Sequence, residues 1–304
     1  MKILIGYDGS VSADAAIEEL SRAGLPQVAE ARVLCVADGE SLGIETKVAA
    51  IDGSWRARLA EAEALAEKAR DRVRSLFPQW SVSSEALWGS AAKVILDTCE
   101  WWHPDLLVVG SHGRSRVARL FLGSVSLALI QKASCPVRVE RRGAPAERRG
   151  TIRIVIGTDG SPEADAVIRF VCSRAWPAGT EAQVISVLQS LVPVTTALEA
   201  NTYAHETAYS VIREADERMR LRLTNISGEA ANALSRAGIV AHHSVIDGDP
   251  REVLLAEAQR LDADAIFVGA RGHGRMEQLL LGSVSSHVVT HAHCAVEVVR
   301  GRHA

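Results

Sequence analysis

Lysine is missing from the chain after Lys132, so the second half of these 304 residues cannot contain a Walker-type phosphate loop, which places a lysine directly after its last glycine. Aromatic residues make up only 4%, leaving little to stack on bases, and a formal net charge of −3 offers no broad electrostatic footprint for a phosphate backbone. No nucleic-acid partner is expected. The five cysteines, Cys35, Cys99, Cys135, Cys172 and Cys294, form no C-x-x-C pair and are odd in number, which predicts reduced, mostly buried thiols. No run reaches the roughly 18 consecutive apolar residues of a membrane span. The opening MKILIGYDGS is too soon broken by Asp8 to be a signal core. The expectation is a cytoplasmic protein with no membrane partner.

What the chain does contain is a repeat. ILIGYDGSVSADAAI, Ile3 to Ile17, returns as IVIGTDGSPEADAVI, Ile154 to Ile168. GSHGRSRVARLFLGSVS, Gly110 to Ser126, returns as GARGHGRMEQLLLGSVS, Gly269 to Ser285. Spacings this long mean a duplicated domain rather than a solenoid, and two domains of roughly 150 residues could each bury a core. The predicted division is 1–142 and 151–304, joined by the polar, Gly- and Pro-interrupted stretch 143–150.

Each half reads alike by periodicity. A β-branched strand ends in Asp-Gly-Ser and feeds a helix (12–23; 162–175), a strand (31–37; 181–188) and a long Ala/Glu/Arg-rich helix (55–77; 208–237). A strand (81–87; 239–246), a helix (91–102; 250–261) and the wholly apolar LLVVG or AIFVG follow, then the glycine loop, another helix and a final strand (136–140; 294–299). Alternating strands and helices predict an α/β fold: two tandem, open-twisted, parallel five-stranded sheets flanked by helices, Rossmann-like. Ligands in such folds sit beyond the carboxyl ends of the strands, where both Asp-Gly-Ser and the glycine loop must lie.

The glycine loop has two readings. Gly110 ends a buried strand, Gly113 lets the backbone approach a ligand, and Gly123 with Ser124 opens a helix whose free N–H groups attract an anion. Ser124 and Ser126 add hydroxyls, and Gly269, Gly272, Gly282, Ser283 and Ser285 repeat the spacing. Equally, glycines for turning and a serine cap occur at ordinary strand–helix junctions. Neither GYDGS nor GTDGS supplies the G-x-G-x-x-G dinucleotide fingerprint, and YDGSVSAD lacks the paired glycines of an ATP-pyrophosphatase loop.

The G-x2-G-x9-G-[ST] pattern after a fourth strand, Asp at the end of the first strand and a Cys-Pro-Val-like final strand resemble the universal stress protein family, in its ATP-binding branch, over nearly the whole chain. The resemblance implies ATP as ligand, with Mg2+ accompanying the triphosphate and AMP or cyclic AMP as alternatives. It places Asp8 and Asp159 at the adenosine end and the second-strand residues Val36 and Val187 beside adenine. Gly110, Gly113, Gly123, Ser124, Val125 and Ser126 would hold ribose and phosphates, as would Gly269, Gly272, Gly282, Ser283, Val284 and Ser285. The turn in VIDGDPREVLL adds Gly248 to the second site, whereas LWGSAAKVIL keeps Gly89 without Asp or Pro and carries Trp88, which would pack on the base or in the core. The implied role is a stress-related nucleotide sensor or regulator; a slow ATPase or nucleotidyl-transfer enzyme, and a ligand-free scaffold, are the alternatives. Partners would be a homodimer mate or an unidentified regulatory protein.

Other residues stay open. Asp8 and Asp159 also suit a helix start. Arg114 and Arg275 reach a phosphate or solvent, and His112 and His273 fall at unequal loop positions. The HAHC run, His291 to Cys294, has too few ligands for zinc. No Ser-His-Asp or paired-carboxylate arrangement repeats in both halves, so no catalytic residue and no metal ligand is assigned. The family associates through its final strand, so the halves would pair there within the chain. CPVRVE and CAVEVV then set Arg138 opposite Glu297, and exchanging both charges should be milder than reversing one; two separately solvated edge charges are the other reading.

Overall fold

A computed structural model describes residues 1–38, 54–113, 122–141, 150–189, 203–272 and 281–301. Arg114, His273, Arg275 and positions 142–149 of the linker region lie outside the described residues. The first half runs β1 (Lys2–Tyr7), α1 (Val11–Glu18), β2 (Glu30–Asp38), α2 (Ser54–Leu76), β3 (Ser81–Gly89), α3 (Ala91–Trp102), β4 (Leu106–Gly110), α4 (Ser124–Lys132) and β5 (Val137–Glu140). The second repeats it with β6 (Arg153–Gly157), α5 (Pro162–Cys172), β7 (Glu181–Leu188), α6 (Tyr203–Arg236), β8 (Val240–Asp247), α7 (Pro250–Arg260), β9 (Ala265–Gly269), α8 (Ser283–His291) and β10 (Ala295–Val299). Boundaries differ from the sequence reading mainly at α1, which tightens into a 3-10 turn over Glu19–Arg22, and at α6, which begins five residues early.

Local chemistry accounts for the main elements. Ser10 and Ser161, in extended conformation, cap α1 and α5 by accepting from the N–H groups of Ala13 and Ala164, and Pro162 opens α5 where no N–H is needed. Along α2, Ala62, Ala66, Ala69 and Val73 are buried at helical spacing, which turns one narrow small-residue stripe onto the sheet.

The strands form one ten-stranded sheet in the order β3-β2-β1-β4-β5-β10-β9-β6-β7-β8. Within each half all neighbours are parallel, and strand order reverses between β1 and β4 and between β6 and β9. These reversals open the crevices expected of a doubly wound sheet. The two five-stranded sheets are therefore present as halves, fused by an antiparallel joint in which Val296 pairs with Val139, Glu297 with Arg138 and Val298 with Val137. Because the joint is antiparallel, the carboxyl ends of the two halves face opposite edges of the sheet.

Alternation along the joint gives its faces different chemistry. Val137, Val139, Val296 and Val298 enter one apolar core that continues across both halves beneath α3, α4, α7 and α8. On the other face, two separate cores lie under α1 with α2 and under α5 with α6. Between them is a buried ionic cluster. Glu297, fully buried, accepts from Arg138 Nη1 at 2.8 Å and, through both oxygens, from Arg174, whose Nη1 also donates to the Ala23 carbonyl at 2.6 Å. The Arg174 guanidinium lies over the Phe170 and Phe267 rings. Burial opposes the charge on Arg138, but Glu297 and then Glu140 outweigh it and raise its pKa; burial prevails at Arg174, whose pKa falls. The reading of two solvated edge charges is thus replaced by a desolvated triad.

Further ties cross the joint. Arg22 grips Asp264 bidentately at 2.9 and 3.0 Å. Arg141, just after β5, donates to the Thr290 and Ala292 carbonyls ending α8, and Arg300, just after β10, donates to the Ile130 and Gln131 carbonyls near the end of α4. Each half finishes the other's last helix, satisfying carbonyls that have no intrahelical partner.

Arg174 changes the expected outcome of a charge exchange. Glu297→Gln should cost about 3–5 kcal/mol in urea unfolding, because the buried Arg174 loses its counter-charge and Arg138 keeps only Glu140, 3.9 Å away. Arg138→Glu combined with Glu297→Arg should remain destabilised, since Arg174 would then face a second guanidinium. Recovery of wild-type stability in that double variant would show that Arg174 is dispensable.

Candidate functional site

At the end of β1, Asp8 Oδ1 accepts from the Ser10 N–H at 2.9 Å and Gly9 takes φ 77°, so the carboxylate folds over its own turn. Asp159, Gly160 and Ser161 repeat this geometry. The aspartates hold the turn, while the serines cap the helices. Their second oxygens face the glycine loops: a Cβ on Gly113 would lie 3.2 Å from Asp8 Oδ2, and one on Gly272 would lie 2.5 Å from Asp159 Oδ2.

The first loop glycine answers a different crowding. A Cβ on Gly110 would lie 2.5 Å from Ser12 Oγ and 2.8 Å from the Ala13 nitrogen, so β4 can end against the start of α1 only without a side chain. His112 follows there, its carbonyl accepting from the hydroxyls of Ser10 and Ser12. The third glycine closes the loop, Gly123 N–H donating to the Ser111 carbonyl and Gly282 N–H to the Ala270 carbonyl, both at 2.8 Å.

Gly123 and Gly282 are the N-caps of α4 and α8 and offer no side-chain cap. The first backbone N–H groups of both helices therefore face the crevice without intrahelical partners, a positive end suited to an anion. Cavities of about 400 Å³ in the second half and about 750 Å³ in the first occupy these crevices. Their floors are apolar, with Leu34, Ile95 and Val109 in one and Ile185, Leu254 and Val268 in the other, and their rims are polar. Tyr7 lines the first cavity; burial, reinforced by its 2.7 Å hydrogen bond to Asp14, pushes its phenol far above the usual range and keeps it neutral.

The universal stress protein family model matches residues 1–141 and again 151–300. The chain belongs to the universal stress protein family. A universal stress protein of Mycolicibacterium smegmatis is 25% identical over 309 residues, covering 99% of this chain and 97% of that one. One from Mycobacterium tuberculosis strain H37Rv is 27% identical over 243 residues, 80% of this chain and 75% of that one. The crystal structure of a universal stress protein from Archaeoglobus fulgidus shares the fold with a TM-score of 0.64 at 21% identity, covering 98% of this chain and 96% of that one.

Within this universal stress protein, Asp8, Val36, Gly110, Gly113, Gly123, Ser124, Val125 and Ser126 all line the first cavity. Asp159, Val187, Gly269, Gly272, Gly282, Ser283, Val284 and Ser285 line the second. Ser126 and Ser285 are buried and donate their hydroxyls to the Gly110 and Gly269 carbonyls, so these protons clamp the loop rather than face the cavity. Ser124 and Ser283 are exposed. Gly248 is not among the cavity-lining residues; it turns the chain at φ 144°, and Pro250 beyond it reaches the cavity, as Ala91 does in the first half. Trp88 packs against the core under α1 and α2, not in the cavity. At the HAHC run, Cys294 is buried in the shared core while His291 stacks on His287, so the two diverge.

Sequence reasoning missed Arg58 and Glu61 on α2, Gln189 after β7, and Arg271 in the second loop, all cavity-lining. Arg58, Glu61 and Leu65 follow helical spacing, a signal visible in the sequence, but which way that stripe faces is set by packing.

The unequal gaps at the two aspartates yield a test. Gly272→Ala should displace the Asp159 carboxylate and cost about 1 kcal/mol or more through its lost turn hydrogen bond, with Gly113→Ala costing less. Thermal unfolding of both variants reads this, and equal losses would mean that the carboxylates move freely.

Proposed function

We propose that each half of this tandem universal stress protein, residues 1–142 and 151–304, binds one adenine nucleotide, ATP in the first instance, and that the chain acts as a cytoplasmic nucleotide sensor or regulator rather than an efficient enzyme. The observation that carries this reading is the duplicated crevice in which an apolar floor meets the uncapped N-terminus of a helix, with an aspartate turn against the glycine loop. The floor suits a flat base beside Val36 or Val187. The helix end, entered through Gly123–Ser124 or Gly282–Ser283, suits phosphates. Among the described residues no group of three or more His, Cys, Asp or Glu side chains gathers as a metal site, so magnesium would arrive with the triphosphate. No helix among them is long and apolar enough to cross a membrane.

Denaturing freshly purified protein and identifying released nucleotide by mass spectrometry tests the proposal. ATP at a hundredfold excess over its dissociation constant should stabilise the fold by about 2.7 kcal/mol per site. A protein that releases no nucleotide and gains no thermal stability from ATP, AMP or cyclic AMP would sink the reading.

A further inference from the structure

We propose that Arg271 is the specificity-determining residue of the second cavity, supplying a fixed positive charge for the outer phosphates, so that the second half selects ATP over adenosine more strongly than the first. The inference rests on the adenine-nucleotide reading above and assigns the two halves different ligand preferences.

Arg271 lines the second cavity together with Gly269, Gly272, Gly282 and Ser283. Its backbone is built into the loop: a Cβ on Gly269 would lie 3.1 Å from the Arg271 carbonyl oxygen, and one on Gly282 would lie 3.4 Å from the Arg271 Cα. The Arg271 side chain therefore starts beside Gly282, the N-cap of α8. Its Nε is buried and has no hydrogen-bond partner. A desolvated guanidinium N–H is costly to leave unsatisfied, and an anionic oxygen is its strongest acceptor.

A second cation stands close by. Arg300 spends Nη2 on the Ile130 and Gln131 carbonyls, leaving its own Nε without a partner. Its pKa is lowered, first by burial and then by the charge of Arg271. An anion in the cavity would relieve that repulsion. The carboxylate of this cavity, Asp159, bonds Oδ1 to its own turn and turns Oδ2 toward Gly272.

The first cavity is arranged otherwise. His112 stands at the position of Arg271, with Nδ1 at 2.8 Å from Ser111 Oγ. The cavity's arginine, Arg58, is accompanied by Glu61 on the same helix. Arg141, the counterpart of Arg300, uses both Nε and Nη2 on the Ala292 and Thr290 carbonyls.

Isothermal titration of the full chain with ATP and with adenosine tests the assignment in the wild type, Arg271→Gln, Arg271→Lys and His112→Arg. The ratio of ATP to adenosine affinity should fall about tenfold or more at one site in Arg271→Gln, be largely kept in Arg271→Lys, and rise at the other site in His112→Arg. An unchanged ratio in Arg271→Gln overturns the proposal. If that variant fails to fold, an unchanged ratio in His112→Arg does so. If the wild type binds neither compound, the adenine reading fails separately, and tripolyphosphate becomes the probe. Thermal stabilisation by tripolyphosphate that is lost in Arg271→Gln upholds the anion assignment, whereas equal stabilisation, or none in the wild type, overturns it.

Discussion

The antiparallel pairing of β5 with β10 is the constraint on which the rest of the molecule depends. Three residue pairs join the halves, yet strand alternation makes them serve two chemistries at once. Four valines extend a core that neither half would close alone, and the opposite face brings Arg138 and Glu297 together out of water. Charges so deeply placed need compensation: Glu297 bridges Arg138 and Arg174, and the buried Glu140, 3.9 Å from Arg138, supplies a second negative charge. The joint also leaves neither β5 nor β10 as a free sheet edge, since each is paired on both sides.

Much of this was legible from sequence because it follows local periodicity. Alternating strands and helices, the apolar runs LLVVG and AIFVG and the Asp-Gly-Ser turns each imply their structure without long-range knowledge. Arg138 opposite Glu297 was legible too, since the duplicated strand fixes the register once the halves are assumed to meet. Arg174 was not: its counterpart in the first half is Ala23, so no repeat flags it. The double charge exchange therefore looked milder from sequence than the structure allows.

At the crevices, the glycines were legible as positions of backbone freedom, but their reasons are tertiary. Gly110 is crowded by Ser12, and Gly272 by Asp159, from elements about a hundred residues away. The hydroxyl bonds of Ser126 and Ser285 to glycine carbonyls 16 residues back, and the place of Gly248 outside the cavity lining, depend on how the loops close rather than on local pattern. Arg271 went unnoticed because an arginine in a glycine loop reads as solvated until its surroundings are known.

The arginines that follow β5 and β10 carry a consequence for the chain's modularity. Two repeats in the sequence suggest two interchangeable cassettes, yet α4 ends on donors from Arg300 and α8 on donors from Arg141. The helix whose first turn faces one crevice is completed at its other end by the opposite repeat. A chimera that replaced either cassette with a domain lacking the matching arginine would disturb the crevice it left intact. Duplication here has produced a mutual dependence, each repeat ending its last helix on a donor from the other.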